Sequence, residues 1–151
     1  MMKPETMEKL IDKAGLAMLG SVDAEGFPNV KAMLLPRKRE GLRCFYFSTN
    51  TSSMRVAQFR ERPQACIYFC DRRFFRGVML VGNVEVLTDP QIKKMLWQMG
   101  DTLYYPKGVT DPDYCALRFT AQRGRWYSNL QSGSFDVGST ESLEPPPQNS
   151  L

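Results

Sequence analysis

The segment from Phe75 to Leu87 limits what this chain can fold into more than any other. In an extended strand, Val78, Leu80, Gly82, Val84 and Val86 share one face, while Met79, Val81, Asn83, Glu85 and Leu87 share the other. The first face is small and wholly apolar, as the interior of a small barrel requires. Gly82, in the middle of that face, marks a bend or a close backbone approach.

Other segments fit the same sheet. Leu16 to Val22 reads as a strand, followed by a hairpin at Asp23-Ala24-Glu25-Gly26. Asn29 to Leu35 and Leu42 to Phe47 read as two more, and Gln64 to Cys70 is apolar enough to expect burial on both faces. Tyr114 to Ala121 and Arg125 to Asn129 are expected as two final strands joined through Gly124. Three short helices interrupt them. Pro4 to Ala14 carries Met7, Leu10 and Ile11 at helical spacing, with Gly15 as its stop. A second helix starts at Ser52 or Ser53 and ends before Pro63. A third starts at Asp89-Pro90, with Thr88 and Gln91 fitting a capping box. The expected fold is mainly β: a six- to seven-stranded antiparallel split β-barrel with short peripheral helices. So much apolar strand surface in a small chain also points to a dimer. Residues 1–136 form the domain, and 137–151, rich in Pro, Ser and Glu, read as a tail.

Histidine is absent from all 151 residues. This excludes Ser-His and Cys-His catalytic pairs, His-ligated zinc and His-ligated haem, and no metal site is expected. The four cysteines do not form a disulfide framework. Cys66 and Cys70 lie on one strand about 13 Å apart, too far to bridge, and are expected to be core thiols without a redox cycle. Reduced cysteines place the protein in the cytoplasm. The charged amphipathic first segment does not read as a signal peptide, and no apolar run reaches membrane-spanning length. The net charge of +4 is spread over short clusters: Arg37 to Arg39, Arg72-Arg73 with Arg76, and Arg123 with Arg125. Each reads as a solvated turn, and no nucleic-acid partner is expected.

The stretch FSTNTSSMRVAQFRERP, Phe47 to Pro63, carries the clearest chemical signal. Hydroxyls on Ser48, Thr49, Thr51, Ser52 and Ser53 meet a helix start and the cation of Arg55. That fits either an ordinary capped helix or a site for a phosphate monoester. Lys31, alone among apolar strand residues, either snorkels from a rim or meets an anion. The aromatic loop at Leu103, Tyr104 and Tyr105 suits either a lid over a planar ligand or packing at the domain edge.

Four runs in order, GLAMLGSVDAEGFPNVKAM, FYFSTNTSSMRVAQFRERPQACIYF, FRGVMLVGNVEVLTD and YCALRFTAQRGRWYSN, cover roughly residues 5–135. Together they resemble the pyridoxamine 5'-phosphate oxidase-like family of FMN-binding split barrels, in its general stress protein and nitroimidazole-resistance (NimA-like) branch. The resemblance implies FMN at a homodimer interface, with Val30, Lys31, Ala32 and Met33 beside its ring. Thr49 and Ser53 match the family's phosphate motif within the Ser48 to Ser53 loop, and Arg55 replaces a lysine. Met54 stands where the family has an arginine, so one phosphate cation is missing, and Lys31 is its named replacement or a charge near the ring. Trp126 and Tyr127 match late-strand aromatics that reach the partner's flavin. No catalytic residue is assigned. Without histidine, true pyridoxamine phosphate oxidase activity is not expected. The implied function is an FMN-dependent oxidoreductase acting on a nitro compound, quinone or similar small substrate with a nicotinamide donor. The alternatives are a non-catalytic flavin-binding stress protein or a barrel for a deazaflavin or other planar cofactor.

Overall fold

The computed structural model describes residues 1–73 and 75–137. Among these are three α-helices, α1 (Pro4–Lys13), α2 (Met54–Glu61) and α3 (Pro90–Leu96). The eight strands are β1 (Ala17–Val22), β2 (Pro28–Met33), β3 (Lys38–Glu40), β4 (Cys44–Asn50), β5 (Gln64–Asp71), β6 (Arg76–Leu87), β7 (Tyr114–Ser128) and β8 (Gln131–Asp136). All pairings are antiparallel, in the order β2-β1-β5-β6-β7-β4-β3, with β8 also on β7.

β7 is where the sheet divides. One of its edges pairs with β6 along most of its length. The other edge takes β4 against Tyr114 to Thr120 and β8 against Arg123 to Ser128. Between those partners the ladder with β6 slips: Val81 faces Arg123 but Gly82 faces Ala121, leaving Gln122 as the extra residue of a bulge. Around it, Ala121 N–H donates to the Arg43 carbonyl at 2.7 Å and Val137 N–H to the Gln122 carbonyl at 3.0 Å. A Cβ on Gly82 would overlap the Thr120 carbonyl oxygen, so only glycine permits this approach.

The core lies on the inner face of this curled sheet. Leu19, Ile67, Phe69, Val78, Leu80, Leu117 and Phe119 are buried there. Phe45 packs against Phe69 and Phe119 with ring centroids 5.7 and 6.1 Å apart. Helix α1 covers it with Met7, Leu10 and Ile11, and α2 with Val56 and Phe59. No helix among the described residues is long and apolar enough to cross a membrane.

Several expectations change. Tyr114 to Ser128 is one bent strand, not two, because the bulge absorbs the irregularity at Gly124 without ending the ladder. The basic run expected as a turn contains β3, and its arginines are not simply solvated. Arg39 forks onto Glu8 and Asp12 of α1, both at 2.8 Å. β5 is buried on one face only, through Ile67 and Phe69. Cys70 is therefore exposed, not a core thiol, and Cys66 is half-buried. Of the proposed tail, Val137 is buried with the core and 138–151 lie outside the described residues.

The aromatic loop after α3 packs at the edge of the sheet. Trp97, Tyr105 and Tyr114 form a cluster with centroids 4.9 to 6.3 Å apart. Arg37 holds the loop by a two-pronged contact to Asp101, at 3.0 and 2.9 Å. The Asp101 carboxylate also accepts from Gln98 N–H at 2.8 Å. Burial pushes this carboxyl up, but Arg37 and the Gln98 N–H outweigh it, and it titrates below its ordinary value. A lowered folded value gives stability that is present above the unfolded value, about 4, and lost as pH falls through the folded one. Asp101→Asn is expected to lower stability near neutral pH by about 1.5–3 kcal/mol. It should also flatten the loss of stability below about pH 4. Urea midpoints measured across that range check both.

Candidate functional site

Helix α2 begins at Ser53, whose Oγ accepts from Val56 N–H at 3.3 Å. Val56 and Phe59 pin one side of the helix to the core. That leaves Arg55 and Gln58, three residues apart, on a shared face toward β1 and β2. Arg55 Nη1 lies 3.6 Å from Met33 Sδ, and Gln58 Oε1 accepts from Ser21 Oγ at 2.5 Å. Lys31 reaches the same place from β2, on the strand face it shares with Met33. A cavity of about 250 Å³ results, lined by Ser21, Asn29, Lys31, Met54, Arg55 and Gln58.

Burial alone pushes the Arg55 guanidinium below its usual value. Among the described residues no carboxylate pairs with it. A half-buried cation without a counter-charge is held at a cost, and an anion entering the cavity would offset that cost.

A second cavity of about 330 Å³ adjoins the first, sharing Ser21, Asn29 and Val30. Its lining is mainly apolar, from Gly20, Val22, Ala65 and Val81. The amides of Gln64, Asn83 and Gln122 and the Arg123 cation add polar groups. A Cβ on Gly20 would press on Cys66 Sγ, so glycine keeps this wall flat. Burial pushes the Cys66 thiol up, which the neighbouring Gly20 backbone partly offsets, so Cys66 contributes as a neutral wall. The two cavities, an apolar slot and a neighbouring pocket with two cations, share these three lining residues, Ser21, Asn29 and Val30.

The structure brings together some of the residues expected from sequence and separates others. Val30, Lys31 and Arg55 line the cavities, with Met33 against Arg55 and Ala32 next to them on β2. Ser48 and Thr49 do not line them. They lie in β4 opposite Ala116 and Cys115, with the Ser48 hydroxyl buried. Ser52 and Ser53 stand at the start of α2, where Ser53 caps the helix. The anion held at that start is already part of the chain. Asp113 accepts from Ser52 N–H at 2.8 Å and from Asn50 Nδ2 at 2.9 Å, contacts that hold its carboxyl below the ordinary value. Ser52 N–H is thus taken. Trp126 is buried beneath Gly133, and Tyr127 points to the opposite face, its ring 6.2 Å from Tyr68. Neither lines the two cavities.

Sequence reasoning missed Ser21, Gln58 and Arg123. Gln58 was detectable as the helical neighbour of Arg55. Arg123 was not, because its position depends on the bulge at Gln122.

Comparison with known proteins adds a second line of observation. A family model described as pyridoxamine 5'-phosphate oxidase matches residues 4–127. A pyridoxine/pyridoxamine 5'-phosphate oxidase from Mesorhizobium japonicum is 34% identical over 86 residues, 57% of this chain and 40% of that protein. The chain thus spans less than half the length of that curated relative. A solved structure from Clostridium acetobutylicum is of a protein related to general stress protein 26 of Bacillus subtilis (pyridoxinephosphate oxidase family). It is 38% identical, with a TM-score of 0.81 over 91% of this chain and 99% of its own. A heme binding protein from Mycobacterium smegmatis shares the fold at 14% identity, with a TM-score of 0.70 over 94% of this chain and 62% of its own.

The unpaired Arg55 gives a test that needs no ligand. Arg55→Leu is expected to leave the melting temperature of the ligand-free protein unchanged or raise it, because it removes a half-buried charge. A clear fall in melting temperature would mean that Arg55 is chiefly a structural residue.

Proposed function

Because the chain belongs to the pyridoxamine 5'-phosphate oxidase family of flavin-binding split barrels, we propose that it is an FMN-binding flavoprotein. In this reading it is an oxidoreductase for a small electrophile, such as a nitro compound or quinone, with a nicotinamide donor. The observation that carries the reading is the half-buried, unpaired Arg55 beside Lys31, in a pocket adjoining an apolar slot.

The residues present fit such a cofactor. Arg55 can grip two oxygens of a phosphate dianion at once. Lys31 supplies the second cation, which Met54 does not. The Ser21 contact fixes Gln58 beside both. The wall of Gly20, Ala65 and Val81 excludes water from a flat ring, while Gln64, Asn83 and Gln122 offer amides to a polar ring edge. Arg123, on the same wall, favours negative charge on whatever occupies the slot. FMN held there supplies the hydride chemistry, so the protein needs no histidine acid or base. The whole-protein activity of the longer curated relatives is not part of the proposal.

The homodimer belongs to the same reading. The outer face of β1, β2, β5 and β6 carries Met18, Val30, Tyr68, Met79 and Val81, none of them fully buried. Val30 is 64% exposed and nearby Leu34 69%. A second copy covering this face would complete the slot, and Trp126 and Tyr127 of one copy would approach the cofactor of the other. A small-molecule substrate and a cytoplasmic setting complete the proposal.

The test is the visible absorption spectrum of the purified protein, with mass spectrometry of any ligand released on unfolding. The expected result is a flavin spectrum and FMN. A haem or deazaflavin spectrum would replace the cofactor assignment. Arg55→Ala should weaken FMN binding by about 1.5–3 kcal/mol, roughly ten- to a hundredfold. Binding of riboflavin, which lacks the phosphate, should change little. Equal losses for the two flavins would remove Arg55 from the phosphate site. A loaded protein that no nicotinamide donor reduces would favour a flavin-binding role without turnover.

A further inference from the structure

On another part of the surface, α1 and the β5–β6 connection enclose a cavity of about 490 Å³ that shares no lining residue with the two described above. Lys9 and Lys13 enter it from α1, Arg72 and Arg73 from the connection, and Arg76 from the start of β6. Asp71 is the one carboxylate in the lining among the described residues, and it is paired with Arg76 at 2.8 Å. Lys9, Lys13, Arg72 and Arg73 form no ion pair among the described residues.

The charges on α1 are sorted by face. Glu8 and Asp12 turn to Arg39, whereas Lys9 and Lys13, one turn apart, face the cavity. Five cations against one carboxylate thus line one concave site. Such a site focuses potential on small anions, and its size is that of a small-molecule pocket.

We propose that this cavity is a second anion site, for a small molecule bearing more than one phosphate charge. Arg72 and Arg73 take oxygens in pairs, and Lys9 and Lys13 close on the anion from the helix. Thr6 and Arg76 also line an adjoining cavity of about 510 Å³ with Lys3, Asn129 and Gln131, which gives room for an uncharged part of the ligand.

Cys70 lines the site and is exposed, so its thiol reports occupancy. The test measures alkylation of Cys70 by neutral iodoacetamide in the FMN-loaded protein, read by peptide mass spectrometry. Inorganic pyrophosphate is added against sodium chloride of equal ionic strength. The expected result is slowing of at least threefold at Cys70 with no change at Cys66. In Lys9→Gln/Lys13→Gln, half-protection should need at least tenfold more pyrophosphate while FMN content stays the same. No slowing beyond the chloride control overturns the proposal, as does equal protection in the double variant. Loss of FMN in that variant would also overturn it, by making the cavity part of the flavin site.

Discussion

The fold depends on one close approach. Gly82 of β6 meets the Thr120 carbonyl of β7 at a distance no side chain allows, and the neighbouring Gln122 bulges out of the ladder. The bend lets one edge of β7 serve β4 and β8 in succession, so a single strand belongs to both parts of the barrel. It also turns Gln122 and Arg123 into the slot beside Val81 and Gly82. The backbone feature that divides the sheet therefore builds one wall of the candidate site. Architecture and chemistry share a cause here.

Around this frame, charges fall into two groups. Arg37, Arg39 and Arg118 are matched to carboxylates far away in sequence, and Arg76 to the nearby Asp71. Arg55 is left unmatched although it is half-buried. The fold does contain a carboxylate near the start of α2, but Asp113 is committed to Asn50 and Ser52. Arg55 thus has no carboxylate partner among the described residues, while Ser52 N–H and the Ser53 hydroxyl are engaged within the chain.

Much of the framework was legible because its signals are local. The Phe75 to Leu87 alternation predicts β6, and Asp89-Pro90 predicts the start of α3, where Asp89 does accept from Gln91 N–H at 2.8 Å. Gly82 was legible as a close backbone approach. What stayed hidden depends on distant partners. β3 sits in a basic run that reads as a turn until Tyr46 and Phe45 are known to pair with it. Strand period placed Cys66 and Cys70 on one face but could not say that Ile67 and Phe69 take the inside. In the site, Arg55 was legible as a cation at a helix start and Lys31 as a lone charge in an apolar strand. Ser21, Gln58 and Arg123 required the fold, because nothing local ties β1, α2 and the bulge together.

β2 ends the sheet on its side, paired through β1 alone. An outer strand with free N–H and C=O groups is a template for further strands, and its apolar exposure at Val30 makes it a sticky one. Two residues limit this. Pro28 lacks a donor at the start of the strand, and Lys31 places a charge at its middle, where an antiparallel copy centred on that residue would meet a second ammonium. Lys31, which lines the smaller cavity, thus also opposes strand addition at this edge.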